Sequence, residues 1–242
     1  DSIVPQLVVN ISFAYASDIY LSDNNLLYWA SHYNTLGQSG GIYNNLNGTE
    51  NLVIPASLGT EIHDFCIDES NGNIYWTEWA WGNPSSELLK ADILNPLNTQ
   101  VSLYNFGGEE VRGFKYDEYN HRIYYVTANI LNTISYYDLN SGANSIIYSV
   151  PVGFPFNLAV DNIQSNNPTL IWTNKNQGYI EKCNFNGTGF ATIITANPYL
   201  MDIDITVTYG CTDSTALNFD PNATIDDGSC CNNSLWNQIG QD

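Results

Sequence analysis

The chain has 242 residues, with 25 acidic and 6 basic side chains and a formal net charge of −19. A surface this acidic repels nucleic-acid phosphates and anionic lipids, so we exclude nucleic-acid binding. We also expect no membrane insertion, because no apolar run approaches the length that spans a bilayer. This length suffices for one large domain with a small appendage.

A short strand rich in aromatic and β-branched residues recurs along the chain. Its matching positions are separated by 47, 49 and 47 residues, and they are Tyr28, Tyr75, Tyr124 and Ile171. A spacing this regular predicts a structural repeat. Because Tyr75 and Trp76 are adjacent and both large, we expect these strands to be buried on both faces.

Three further strands complete each repeat. An apolar first strand ending in aspartate precedes the aromatic strand, and its last residues are Asp23, Asp68, Asp117, Asp161 and Asp204. A third and a fourth strand follow, with turn residues between them. Four short strands every 43 to 49 residues predict an all-β fold built from β-propeller blades. The chain holds four full repeats and a partial fifth, a first strand at Leu200–Val207.

The motif residues resemble a known family. Ile74–Glu78 and Ile180–Thr188 are similar to the low-density-lipoprotein-receptor class B repeat, the YWTD β-propeller, and the resemblance covers roughly residues 13 to 207. It implies a six-bladed ring in which aspartates tie neighbouring blades together. This chain departs from the motif at its fourth letter, so those ties are not carried over. The residues at that letter are Ser31, Glu78, Thr127 and Asn174.

The strand count leaves the closure of the ring open. A small ring of four or five blades is the first expectation, and an arc completed by other chains is the alternative. Ile3–Val9 can supply a fourth strand that latches the last blade, because an unpaired propeller edge invites aggregation.

A separate acidic module follows the propeller. We place the propeller at residues 1–208, the module at 209–231 and a tail at 232–242. Residues Gly210–Cys230 resemble a short module of secreted marine bacterial and large-virus proteins. We expect a Cys211–Cys230 disulfide and an oxidising, extracellular setting.

The module is dense in hard oxygen donors, which are the ligands that Ca²⁺ prefers. These residues predict Ca²⁺ as a cofactor, with a purely turn-forming role as the alternative. The candidate ligands are Asp213, Asn218, Asp220, Asn222, Asp226 and Asp227.

Three cysteines remain outside that disulfide. We expect Cys66 and Cys183 to be small buried thiols. Cys231 is left to pair with one of them, to pair with another molecule, or to stay free.

N-glycosylation triplets are present, and they predict attached sugar if the source is eukaryotic. Two of them, at Asn47 and Asn186, also have the sequence of a hairpin turn. The five asparagines are Asn10, Asn47, Asn186, Asn222 and Asn232.

Loops joining second to third strands and fourth to first strands gather on one face of a propeller. Here these loops carry aromatic residues beside polar groups, a combination that suits a glycan or a protein partner. The alternative is that Trp79 and Trp81 only cap the blades. The candidate binding residues are His32, Tyr33, Trp79, Trp81, Glu109, Glu110 and Arg112.

We do not expect an enzyme. The three histidines lie far apart in sequence, and no nucleophile-elbow, zinc-protease or phosphate-loop motif occurs. The alternative function is a propeller-type hydrolase or lyase with a metal in the central channel, for which Asp64, Asp202 and Glu61 are the candidate ligands. Gly113 and Asn157 occupy equivalent repeat positions, so no ring of ligands is evident.

These patterns together predict a secreted, non-enzymatic binding or structural protein. We expect it to act at a cell surface, on a virion or in an extracellular filament, including a role in adhesion. Its expected partners are other proteins, copies of itself or glycans.

Overall fold

The computed structural model describes residues 16–33, 39–46, 49–79, 86–128, 130–161, 168–196, 199–205, 209–226 and 228–231. Four sheets of four strands fill most of this range. Blade 1 contains β1 (Ala16–Leu21), β2 (Leu27–Tyr33), β3 (Ser39–Asn44) and β4 (Asn51–Pro55). Blade 2 contains β5 (Glu61–Asp68), β6 (Asn73–Trp79), β7 (Ser86–Asp92) and β8 (Val101–Gly107), with the short helix α1 (Pro96–Thr99) before β8.

The second half of the chain repeats the pattern. Blade 3 contains β9 (Glu110–Asp117), β10 (Arg122–Ala128), β11 (Thr133–Asp138) and β12 (Asn144–Ser149). Blade 4 contains β13 (Pro155–Asp161), β14 (Thr169–Asn174), β15 (Tyr179–Asn184) and β16 (Ala191–Thr195). Each blade is an antiparallel meander in chain order, so the predicted four-stranded repeat is confirmed.

The core lies between the blades. Tyr75 and Trp76 are both buried although they point to opposite faces of β6. Trp76 packs in the cluster shared by blades 1 and 2, and Tyr75 packs in the cluster shared by blades 2 and 3. A third cluster, centred on Trp172, joins blades 3 and 4. Burial on both faces explains why the repeat reads as continuous aromatic and aliphatic residues.

In blades 2 and 4 the fourth letter of the repeat motif holds the loop that enters the blade. The Glu78 carboxylate accepts hydrogen bonds from the Ser57 amide (3.1 Å) and the Thr60 hydroxyl (2.9 Å). In blade 4 the Asn174 side chain accepts from the Phe154 amide (3.0 Å) and donates to the Val152 carbonyl (2.9 Å). Two different side chains therefore tie neighbouring blades at the position where the resembling family has aspartate.

Side chains at one repeat position also connect the first strands of neighbouring blades. Asp18 accepts a hydrogen bond from the Phe65 amide (3.4 Å), and Asp64 accepts one from the Gly113 amide (3.0 Å). Both carboxylates thus bind the first strand of the next blade. These axial positions are Asp18, Asp64, Gly113, Asn157 and Asp202, each directly before the apolar part of its first strand.

The described blades form an arc with two uncovered end faces. Ile19 of blade 1 is 58% exposed, whereas Phe65, at the same repeat position in blade 2, is 2% exposed. At the other end Ile194 of blade 4 is 48% exposed, and its counterpart Ile54 in blade 1 is fully buried. Blade 4 therefore does not cover blade 1, which differs from the small closed ring expected first.

The partial fifth repeat also differs from expectation. Residues 199–205 form no strand, although Asn157 donates a side-chain hydrogen bond to Asp202 at the predicted axial position. A first strand needs a second strand to pair with, and none is present beside it in the described residues. Ile3–Val9, the predicted fourth strand of the last blade, lies outside those residues.

No helix in the described ranges is long and apolar enough to cross a membrane.

Candidate functional site

A charged cluster lies on the loop face, which we define as the face formed by the 2→3 and 4→1 loops of the blades. His63 Nε2 is 3.0 Å from Glu61 Oε2, and His63 Nδ1 is 3.7 Å from Glu110 Oε1. Glu110 also forms an ion pair with Arg112. These four residues come from the starts of β5 and β9, so the cluster spans the junction between blades 2 and 3.

Burial controls the charge of this cluster. The pKa of His63 is lowered, first by desolvation and only partly offset by its hydrogen bond to Glu61. A lowered pKa leaves the imidazole neutral near pH 7. A neutral ring has one N–H to donate, and Glu61 is the nearer carboxylate at 3.0 Å. His63 therefore adds no cation to the face.

Two cationic side chains contact the ring of Phe156 beside this cluster. The Arg112 guanidinium carbon lies 4.4 Å from the centre of the Phe156 ring, and the Lys175 ammonium lies 4.3 Å from it. Cation–π contacts at this distance are favourable. Two of the six basic side chains thus meet on one aromatic ring on the loop face.

Exposed apolar residues also lie in the loops of this face, and we call them the apolar rim. The tip of the β10–β11 loop is the clearest part, with Ile130 69% and Leu131 55% exposed. Their two backbone amides donate to the buried Glu109 carboxylate at 3.5 Å, which holds the tip in place. The rim consists of Leu58, Ile130, Leu131, Val152 and Tyr199.

The structure brings together only part of the predicted binding set. Arg112 and Glu110 lie in the charged cluster, and Glu109 supports the apolar rim. Trp79 differs from the expected exposed position, because it ends β6 with 5% exposure and its ring centre lies 5.5 Å from that of His63. A ligand has no open ring face to stack on there, so Trp79 caps the blades. This is the alternative role considered from the sequence.

The remaining predicted binding residues are less completely described. His32 and Tyr33 end β2, and the structure describes their backbone only. Trp81 lies outside the described residues.

Three residues of the site were missed by sequence reasoning: His63, Phe156 and Lys175. One signal could have found the first two, because His63 and Phe156, like the predicted Arg112, directly precede the axial residue of their blade. An alignment of the first strands on Asp64, Gly113 and Asn157 places them in one column. Since equivalent positions of successive blades meet around the axis, that column predicts a shared surface. Lys175 gave no such signal.

The proposed axial metal ligands have other partners. Asp64 binds the Gly113 amide, Asp202 accepts from Asn157, and Glu61 contacts His63. Among the described residues, no group of three or more His, Cys, Asp or Glu side chains is arranged to hold a metal ion. These residues therefore do not fit an axial metal site.

The C-terminal module is a set of turns closed by the predicted Cys211–Cys230 disulfide. Its two short strands, β17 (Tyr209–Gly210) and β18 (Ile225–Asp226), pair in parallel. Asn218 clamps the far end of the module, because its side chain donates to the Ser229 carbonyl and accepts from the Cys231 amide, each at 2.8 Å.

The candidate Ca²⁺ ligands of this module act as turn acceptors. Asp213, Asp220 and Asp226 each accept a backbone amide two residues ahead, at 2.8 to 3.0 Å. Asn222 is exposed, and Asp227 lies outside the described residues. Within the described ranges no group of three or more His, Cys, Asp or Glu side chains is arranged to hold a metal ion. Ca²⁺ binding stays a prediction for this module.

We expect EDTA to leave the melting temperature of the protein unchanged, because the turn hydrogen bonds account for these oxygens without a cation. Differential scanning calorimetry with EDTA, followed by excess CaCl₂ or MgCl₂, checks this. A melting temperature that falls with EDTA and returns with CaCl₂ alone would instead confirm the Ca²⁺ prediction.

The three other cysteines are free in the structure. Cys66 and Cys183 are buried, as expected, and burial raises the pKa of both thiols, to about 11 for Cys183. Cys231 is exposed, so it does not pair with either of them.

Two predicted glycosylation sites lie in the described residues. Asn186 caps the β15–β16 hairpin by accepting from the Thr188 amide at 3.1 Å, and Asn222 is in the module. Asn10, Asn47 and Asn232 lie outside the described residues, and attached sugar stays a prediction for all five.

Comparison with known proteins supports the fold. No family model matches the chain. Protein cueball of Drosophila willistoni is 30% identical over 154 residues, which cover 58% of this chain but 23% of that protein. The chain therefore spans less than a quarter of this relative.

Solved structures with the same architecture include both binding proteins and enzymes. A chain of a nidogen/laminin complex superposes with a TM-score of 0.65 at 16% identity, covering 79% of this chain and 68% of that one. A gluconolactonase from Xanthomonas campestris superposes with a TM-score of 0.61 at 13% identity, covering 79% and 65%. Identities this low show the fold alone, and the fold is a β-propeller.

Proposed function

We propose that this protein is an extracellular, non-enzymatic binding propeller that recognises another protein through its loop face. The carrying observation is the apolar rim on the same face as the charged cluster. Protein interfaces combine apolar anchors with a few arginines and aromatic residues. Ile130, Leu131 and Arg112 supply that combination on one face.

The exposure and the ordered backbone of the apolar rim support recognition of a protein. Binding of a partner that removes exposed aliphatic side chains from water is favourable, by about 25 cal/mol per Å² of apolar surface buried. The Glu109 carboxylate already holds the Ile130–Leu131 tip, so little further ordering is needed on binding. Glycan sites, by contrast, use open aromatic faces, and Trp79 is buried.

Two other features support the proposal. The Cys211–Cys230 disulfide suits an oxidising, extracellular location. The uncovered end faces of blades 1 and 4 are apolar where inner blades are packed, and such faces favour contact with further polypeptide. An assembly role beside copies of itself or other chains is thus part of the same proposal.

The test compares capture of extracellular proteins by the immobilised chain. A rim variant carries Ile130→Asp, Leu131→Asp and Val152→Asp. A control with the same number of added charges carries Leu46→Asp, Leu94→Asp and Leu97→Asp, which are at least half exposed and lie between third and fourth strands, on the opposite face. We expect wild type and control to retain the same proteins, and the rim variant to lose them at least about tenfold.

A glycan array is run with the same three proteins, and we expect background signal. Equal capture by the rim and control variants, no capture by wild type, or specific glycan binding would each overturn the proposal. Circular dichroism of the variants confirms that the blades remain folded.

A further inference from the structure

Two acidic side chains lie at the axis of the arc, directly beneath the charged cluster. Asp64 follows His63 in β5, and the Gly113 amide that it binds follows Arg112 in β9. Any change in the Asp64–Gly113 contact therefore acts on the spacing between His63 and Arg112. Asp18 makes the equivalent contact one blade earlier, with the Phe65 amide.

These carboxyls lack enough opposite charge around them. Asp18 faces Asp64 on β5, Lys115 on β9 and Asp202 in the following segment. Asp64 faces Asp18, and the cations near it are Arg112 and Lys115. Arg112 is already paired with Glu110. Besides Arg112, the Lys115 ammonium is therefore the cation near these carboxyls, and Asp64 is in addition buried. Both conditions favour neutral carboxyls.

Water reaches this arrangement. A channel cavity of about 820 Å³ opens between the first three blades, and its wall includes Asp18, Phe65 and Lys115. Protons can therefore exchange with Asp18 without unfolding of the blades.

We propose that Asp18 and Asp64 form a pH-sensitive latch, which holds blades 1 to 3 together when protonated and loosens them when ionised. In the neutral state both side chains still accept the hydrogen bonds of the next blade, without mutual repulsion. In the ionised state the half-buried Asp18 carboxylate and the buried Asp64 carboxylate repel across the first strands that they connect.

The titration behaviour supports this direction. Burial raises the pKa of Asp18 to about 6, and burial together with the charge of Asp18 raises the pKa of Asp64 well above its usual range. Groups with a raised pKa in the folded state stabilise the fold at low pH. That contribution is lost as the pH rises through about 6 for Asp18, and as it rises through the raised pKa of Asp64.

The latch extends the proposed function to its regulation. The charged cluster is built on β5 and β9, so ionisation of the latch shifts the two halves of the cluster relative to one another. This consequence rests on the proposed function, whereas the latch itself does not.

The experiment follows thermal unfolding from about pH 5 to about pH 8 at constant ionic strength. We compare wild type with Asp64→Asn, which keeps an oxygen acceptor for the Gly113 amide but cannot ionise. Glu50→Gln is the control, since it removes one negative charge at an exposed site outside the channel. Any general effect of the net charge appears equally in both variants.

We expect the melting temperature of wild type and Glu50→Gln to fall by about 5 °C over this range. Asp64→Asn is expected to lose at least half of that slope and to melt above wild type at pH 8. Hydrogen exchange, corrected for its intrinsic pH dependence, should show residues 110–114 less protected at pH 8 in wild type but not in Asp64→Asn.

Asp18→Asn serves as a second test, and it decides the matter if Asp64→Asn does not fold. A slope equal to that of wild type in the foldable variants would overturn the latch. Because no partner is used, that result leaves the loop-face proposal intact. Loss of the rim-dependent capture, conversely, leaves the latch intact.

Discussion

Replacing Trp76 with alanine is expected to destabilise the protein by about 3–5 kcal/mol, the usual cost of removing a large aromatic side chain from a core. Trp76 is fully buried in the cluster that joins blades 1 and 2. Its indole N–H donates to Glu78 at 3.2 Å, and Glu78 in turn holds the loop that enters blade 2. The substitution therefore opens a cavity and removes a donor from a buried carboxylate.

Urea unfolding followed by circular dichroism measures this loss. Trp76→Phe is expected to cost less, because it keeps an aromatic ring in the wedge between the blades. Leu94→Ala provides the baseline, within about 0.5 kcal/mol of wild type, since Leu94 is 91% exposed. If Trp76→Ala matched Leu94→Ala, the packing between blades 1 and 2 would not carry the stability assigned to it.

The repeat was predictable because propeller blades bury both faces of their strands. Tyr75 and Trp76 show this directly, as each packs against a different neighbouring blade. A strand exposed on one face would have alternated with polar residues, and the repeat would have been harder to detect. The order and spacing of the predicted strands therefore indicated the correct architecture.

The arc was not predictable in the same way. Closure depends on the rotation between successive blades, which packing in the wedges sets and strand counting does not report. The exposure of Ile19 reveals the open end only by comparison with the buried Phe65. Both residues are large and apolar, so their difference in exposure cannot be read from the sequence.

The candidate site was predicted in part. Loop-based reasoning found Arg112 and Glu110, because they lie near a 4→1 loop. The same reasoning misplaced Trp79, since a strand end and a loop start are hard to separate in sequence. His63 and Phe156 were missed because they lie inside first strands, where position within the repeat matters more than membership of a loop.

Gly113 occupies the same axial repeat position as Asp18 and Asp64. Its replacement should be the most damaging to the junction between blades 3 and 4. Gly113 adopts φ +61°, and a methyl group placed on it would lie 2.6 Å from the backbone nitrogen of Leu158 in blade 4. Gly113→Ala therefore combines a left-handed backbone conformation with a clash against a first strand that cannot move independently. We expect a loss of about 2–5 kcal/mol.

Gly72→Ala is the matched control, because Gly72 has φ +64° but no atom within 4 Å of the added methyl group. It should cost about 1–2 kcal/mol through backbone strain alone. The difference between the two variants in urea unfolding isolates the clash at the axis. Equal losses would mean that blade 4 yields to the methyl group. Arg112 could then also move away from Phe156, and the two halves of the loop face would be less firmly joined than the contacts at the axis indicate.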